Sequence, residues 1–151
     1  MMIEVRSESA MQQLGERLGR LLRGGEVLEL VGDVGAGKTT LVRGIARGMG
    51  IDETVQSPSF TINRVYDAPN QLQLSHYDFY RLADPGIMNS ELDEAVHDPQ
   101  VVVVIEWAGT VEQTLPGDRL TIAITSPTET TRQLELQAGG DQARRVLEAL
   151  A

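Results

Sequence analysis

The chain has 151 residues, 41% hydrophobic and 23% charged, with a formal net charge of −9, no cysteine and two histidines, a composition that fits one globular domain over residues 1–151 with an ordinary apolar core. Disulfides, iron–sulfur clusters and thiolate zinc sites are excluded, and His76 and His97 cannot build a histidine-rich metal site, so any metal should be a hard ion on oxygen ligands. The acidic balance argues against direct, tight binding of RNA or DNA, whose affinity comes largely from Lys and Arg displacing counterions.

The N-terminus MMIEVRSESA has neither a basic n-region nor an apolar h-region, and the longest strongly apolar run, Val101 to Ile105, is far short of a membrane span; no membrane contact and a cytoplasmic location are expected. A short strand is predicted at Ile3 to Val5. Ser7 or Ser9 can then cap a helix with Met11, Leu14, Leu18, Leu21 and Leu22 as its apolar stripe, stopped by Gly24-Gly25. Val27 to Val31 reads as a buried strand, followed by a glycine-rich turn and a helix with Leu41, Val42, Ile45 and Met49 on its apolar face, ending at Gly48 or Gly50. Thr61 to Tyr66 and Leu72 to Tyr77 are predicted strands joined by the turn Asp67-Ala68-Pro69-Asn70, with a short helix from about Ser90 to Val96. Val101 to Ile105 is β-branched throughout, as in a central parallel strand covered on both faces. Leu120 to Thr125 and Gln133 to Gln137 alternate like half-exposed strands around Pro127, and Asp141 to Leu150 is a closing helix. The expected architecture is a three-layer α/β P-loop NTPase fold with a mostly parallel central sheet and a few antiparallel strands added at an edge.

Of 13 basic residues, the single lysine is Lys38. It lies in Gly32-Asp33-Val34-Gly35-Ala36-Gly37-Lys38-Thr39, which fits the P-loop pattern G-x-x-x-x-G-K-[ST] between a predicted strand and a predicted helix. Glycines let backbone N–H groups close around phosphate oxygens, and the following helix N-terminus adds a positive dipole end. An ammonium at Lys38 can reach the outer phosphates, and the Thr39 hydroxyl can ligate Mg²⁺. The guanine-reading N-K-x-D motif needs a second lysine, so ATP is favoured over GTP.

A P-loop needs an acidic partner at the end of a neighbouring strand. Glu106, after Val101 to Ile105, and Asp78, after Leu72 to Tyr77, both qualify, one binding metal directly and one through water or by orienting the attacking water. All six aromatic residues fall between positions 60 and 107, and the only tryptophan, Trp107, follows Glu106; core packing accounts for most of them, whereas Trp107 can exclude water or contact a partner. Ser57-Pro58-Ser59-Phe60 is either an ordinary turn or a switch loop reporting on the γ-phosphate.

The set Gly32 to Thr40, Ser57-Pro58-Ser59-Phe60, His76-Tyr77-Asp78-Phe79-Tyr80-Arg81-Leu82 and Ile105-Glu106-Trp107 resembles, in order and spacing over nearly the whole chain, the TsaE (YjeE) family. The resemblance implies a small P-loop ATPase required for threonylcarbamoyladenosine modification of tRNA next to the anticodon. Such a protein binds the TsaB–TsaD complex and drives its assembly or reset, touching tRNA only through these partners. It implies ATP and Mg²⁺ as ligands, with Gly32, Val34, Gly35, Ala36, Gly37, Lys38, Thr39 and Thr40 around the phosphates and Glu8 near the adenine. Thr39 and Glu106 would ligate Mg²⁺, Asp78 would assist metal or water, and Trp107 would support activity beside Lys38, Asp78 and Glu106. Ser59 departs from the family's usual Thr, and Gly86 to His97 lacks its usual Leu-Gly pattern.

Two other readings remain open on the sequence. A P-loop small-molecule kinase could use Arg64 or Arg81 to contact an acceptor, and a non-catalytic chain could use ATP purely as a conformational ligand.

Overall fold

Five consecutive β-branched residues lose apolar contact on one face unless both faces of their strand are covered. In the computed structural model, which describes residues 1–33, 35–55, 63–79 and 86–151, that strand is central. Seven strands form one sheet among the described residues: β1 (Met2–Val5), β2 (Val27–Val31), β3 (Asn63–Asp67), β4 (Gln73–Asp78), β5 (Val101–Glu106), β6 (Leu120–Thr125) and β7 (Arg132–Ala138). Their order is β1-β7-β6-β2-β5-β4-β3. β6, β2, β5 and β4 are mutually parallel, while β7, β1 and β3 pair antiparallel. The antiparallel strands therefore flank the parallel core on both sides, where the sequence predicts them at one edge, because the β3–β4 and β6–β7 pairs are closed by short turns that only antiparallel neighbours permit.

Period-two alternation divides β5 between two layers. Val102 and Val104 join a core with α1 (Glu8–Arg20), α2 (Lys38–Gly48) and α4 (Asp141–Leu150), whereas Val101, Val103 and Ile105 face α3 (Ile87–Val96) and the short 3₁₀ turns at Ala108–Thr110 and Glu112–Thr114. α1 is capped by Ser7, whose Oγ accepts from the Ala10 N–H at 3.0 Å. It ends at Arg20, before the predicted glycine stop, and α3 starts at Ile87, one turn ahead of prediction.

α1 and α2 cross through glycines at four-residue spacing on both helices. A Cβ on Gly15 would lie 2.5 Å from the Leu41 carbonyl oxygen, and one on Gly44 would lie 2.2 Å from that of Gln12. Equivalent additions at Gly19 and Gly48 would meet the Ile45 and Glu16 carbonyl oxygens at 2.2 and 2.3 Å. This backbone-to-backbone approach fixes the N-terminus of α1 beside that of α2, so Glu8 stands next to Thr40. At the opposite end of the sheet, buried Glu26 accepts from the Arg23 and Gly24 N–H groups and from Arg145 (2.9 Å), tying α4 to the turn after α1. Every helix and strand predicted from the described residues is present.

Candidate functional site

β2 ends at Val31, and the chain turns through Gly32 and Asp33 into α2. Gly35 (φ +84°) and Gly37 (φ +101°) take left-handed conformations that a side chain would strain. A Cβ on Gly32 would come within 2.8 Å of the Ile124 carbonyl oxygen. Gly37 supplies no side-chain cap to α2, so the N–H groups of the first turn keep the donor capacity that suits this end of a helix to an anion. Ala36 N–H donates to the Asp33 carbonyl at 3.0 Å and folds the loop back on itself. Val34 and Ser57-Pro58-Ser59-Phe60 lie outside the described residues, as do Tyr80, Arg81 and Leu82.

Lys38 begins α2 and is only 6% exposed. Its Nζ donates to the Gly32 carbonyl at 2.6 Å, lies 3.9 Å from Glu106 Oε1 and sits 4.2 Å from the centre of the Trp107 ring. A buried ammonium is tolerated when a carboxylate, a carbonyl and an aromatic face surround it. Trp107 holds this position with φ +57° and ψ +52°, a left-handed conformation uncommon for a bulky residue and characteristic of functional sites.

Glu106 and Asp78 are the last residues of β5 and β4, inside the strands where the sequence places them just after, and they are register partners. Alternation puts Leu74, His76 and Asp78 on the face shared with Val102, Val104 and Glu106, the face covered by α2. Both carboxylates are buried, and Glu106 Oε2 accepts from His76 Nε2 at 2.5 Å. His76 is fully buried, and among the described residues its Nδ1 has no hydrogen-bond partner. Arg64 Nε is likewise buried and without a partner among the described residues, and Arg64 pairs directly with His76 across β3 and β4. Composition alone leaves His76 without a role; the signal that points to it is its two-residue spacing from Asp78, which puts both side chains on one face of a strand.

Glu8 opens α1, and its Oε1 accepts from Thr40 Oγ1 at 3.4 Å. Glu8, Thr40, Gly35, Gly37, Met11, Arg6 and the β6–β7 turn line a cleft of about 480 Å³. The structure thus gathers Gly32, Lys38, Glu106 and Trp107 at one point, sets Asp78 beside Glu106, and places Glu8, Gly35, Gly37 and Thr40 along the adjoining cleft. Thr39 follows Lys38 in the first turn of α2. Of the other aromatics, Tyr66 packs in the helical core, and Tyr77 stacks on Phe79 at 5.9 Å on the opposite face. Burial holds the Tyr77 phenol above its usual pKa of 10.0.

The residues fit a nucleotide with a hard divalent ion. The loop offers left-handed glycines and an uncapped helix end to an anion, and the donors beside it are a hydroxyl and carboxylates. Among the described residues no group of three or more His, Asp or Glu side chains could hold a metal by itself. No helix among them is long and apolar enough to cross a membrane.

A glycine-rich loop from the central parallel strand β2 into α2, a buried lysine at the helix start and an acidic residue ending the neighbouring strand define the P-loop NTPase class. Within that class, residues 5–134 match the family described as threonylcarbamoyl adenosine biosynthesis protein TsaE, and the chain belongs to it. It is 41% identical over 127 residues to the tRNA threonylcarbamoyladenosine biosynthesis protein TsaE of Bacillus subtilis, an alignment spanning 84% of this chain and 78% of that one. The TsaE protein of Streptomyces coelicolor is 44% identical over 119 residues, 76% of this chain and 78% of its own. Among solved structures, Bacillus subtilis YdiB superposes with a TM-score of 0.83 at 32% identity, covering 99% of this chain and 93% of that one.

Proposed function

We propose that this chain is an ATP-binding and ATP-hydrolysing subunit required for threonylcarbamoyladenosine modification of tRNA next to the anticodon, acting by binding the TsaB–TsaD complex and driving its assembly or reset. The observation that carries the nucleotide part is the buried Lys38 ammonium, held between the Gly32 carbonyl, Glu106 and Trp107 at the start of α2. The family and its named relatives support the pathway. A net charge of −9 suits a chain that touches tRNA only through partners.

In this reading the backbone from Gly32 to Thr40, including Val34 and Ala36, surrounds the phosphates, and Lys38 brings positive charge to the outer ones. Thr39 and Glu106 hold Mg²⁺, which when bound neutralises charge developing on the phosphates. Asp78, in register with Glu106, orients a water through its carboxylate. Trp107 covers the ammonium and keeps bulk water from it. Glu8 reads the adenine from the far side of the cleft. The protein works in the cytoplasm, with weak activity alone and stimulation by its partners.

Hydrolysis of ATP with Mg²⁺, measured for the chain alone and with added TsaB–TsaD beside GTP and Lys38→Ala, tests this. Low basal turnover that rises with the partners, prefers ATP and falls by at least about 100-fold in the variant is expected. Turnover indifferent to the partners, with phosphate passed to a small acceptor, would replace this reading with the kinase one.

A further inference from the structure

The carboxylate of Glu106 has two oxygens with different surroundings. Oε1 faces Lys38 Nζ at 3.9 Å, while Oε2 is 2.5 Å from His76 Nε2. A carboxylate accepts, so the imidazole donates from Nε2. His76 is fully buried in the middle of β4, paired in register with Arg64 on one side and Val104 on the other. Among the described residues its other ring nitrogen makes no hydrogen bond, so the one side-chain hydrogen bond of His76 there is to Glu106. A histidine that only filled core volume would need no acceptor, and an apolar residue would avoid an unpartnered buried nitrogen.

We infer that His76 is a positioning residue: its Nε2–H fixes the Glu106 side chain, committing Oε2 to the imidazole and presenting Oε1 to the Lys38 side of the pocket. A glutamate has three side-chain torsions, and a free one at a strand end would sample several rotamers. A single donor from a rigid ring removes that freedom, as outer partners do for ligating side chains in metal sites generally. The inference rests on the reading of Glu106 as a Mg²⁺ ligand and adds the group that aims it.

The contact of only one ring nitrogen supplies a discriminating test. Glutamine can place its amide N–H where Nε2 stands, whereas asparagine reaches only the Nδ1 position. MgCl₂ is titrated into wild type, His76→Gln, His76→Asn, His76→Leu and Glu106→Gln in the presence of a non-hydrolysable ATP analogue, following the fluorescence of Trp107, the only tryptophan. Thermal midpoints are recorded in parallel by circular dichroism. The expected result is a 10- to 100-fold rise in the half-saturating Mg²⁺ concentration for His76→Asn and His76→Leu, with His76→Gln within about threefold of wild type. The analogue's affinity without metal should be the same in all three. Midpoints that fall while the Mg²⁺ titration of His76→Asn or His76→Leu is unchanged would reduce His76 to a structural residue and overturn the inference. Equal shifts for Gln, Asn and Leu would overturn it too. If Glu106→Gln shifts the titration and the His76 variants do not, only the role of His76 fails; if Glu106→Gln leaves it unchanged, the metal assignment fails first and the inference with it.

Discussion

Asp78 and Glu106 face one another across the parallel pair β4–β5, each as the last residue of its strand and both buried. Adjacent strands lie about 4.8 Å apart, so two carboxylates that the sequence separates by 28 positions share one end of the pocket. Glu106 is bonded to His76 and lies beside Lys38.

The proposed roles, Glu106 on the metal and Asp78 on the water, predict a division of labour. Asp78→Asn should lower ATP turnover by about 100-fold or more, the effect of losing a group that orients water or moves a proton, while leaving the half-saturating Mg²⁺ concentration within threefold of wild type. Glu106→Gln should raise that concentration as well. Steady-state hydrolysis over a MgCl₂ series for both variants checks this, and a shift for Asp78→Asn as large as for Glu106→Gln would make both carboxylates metal ligands.

The Trp107 ring lies 4.2 Å from the Lys38 ammonium. A partly desolvated cation–π contact is worth about 1–2 kcal/mol, so Trp107→Ala should weaken binding of an ATP analogue by roughly 5- to 30-fold. Trp107→Phe, which keeps an aromatic face, should lose less. Calorimetric titration reads both without needing the tryptophan.

The helix crossing that brings Glu8 to Thr40 depends on bare backbone. Gly44→Ala would push a methyl to 2.2 Å from the Gln12 carbonyl oxygen, and overpacking of this kind destabilises by about 1–3 kcal/mol. The thermal midpoint should drop by roughly 3–10 °C, with weaker nucleotide binding as α1 moves off α2. A Cβ on Gly109 meets nothing within 4 Å, so Gly109→Ala should keep the wild-type midpoint in the same scan.

Tyr77 is buried and its phenol is raised above 10.0, desolvation outweighing the Ser75 hydrogen bond that lowers it. A folded pKa above the unfolded one means that the unfolded chain loses this proton first. The contribution is therefore fully present below about pH 10 and is lost as pH rises through the folded pKa. Urea unfolding between pH 8 and pH 11 should show stability falling from about pH 10 in wild type, with a shallower fall in Tyr77→Phe.

Local sequence carried most of the elements because their signals are short-range. The stripe from Met11 to Leu22, the β-branched run at Val101 and the G-x-x-x-x-G-K-T pattern each fit inside one helix, strand or loop. Boundaries moved where neighbours intervened: Asp78 and Glu106 became strand residues because each completes the β4–β5 ladder of the other, and α1 stopped at Arg20 short of Gly24. The meeting of Gly15 and Gly19 with α2 and of Gly44 and Gly48 with α1 is a tertiary fact, because no local signal says which helix each pair meets.

The sequence alone determined the P-loop, its lysine and the two acidic strand ends, because the chemistry of phosphate binding demands particular residue types at fixed spacing on contiguous chain. Only the tertiary structure decided that His76 holds Glu106, that Trp107 covers Lys38 and that Glu8 stands beside Thr40. Those contacts span 30, 69 and 32 residues. They follow from strand register, from a left-handed turn at Trp107 and from a glycine-lined helix crossing, none of which any local stretch of chain encodes by itself.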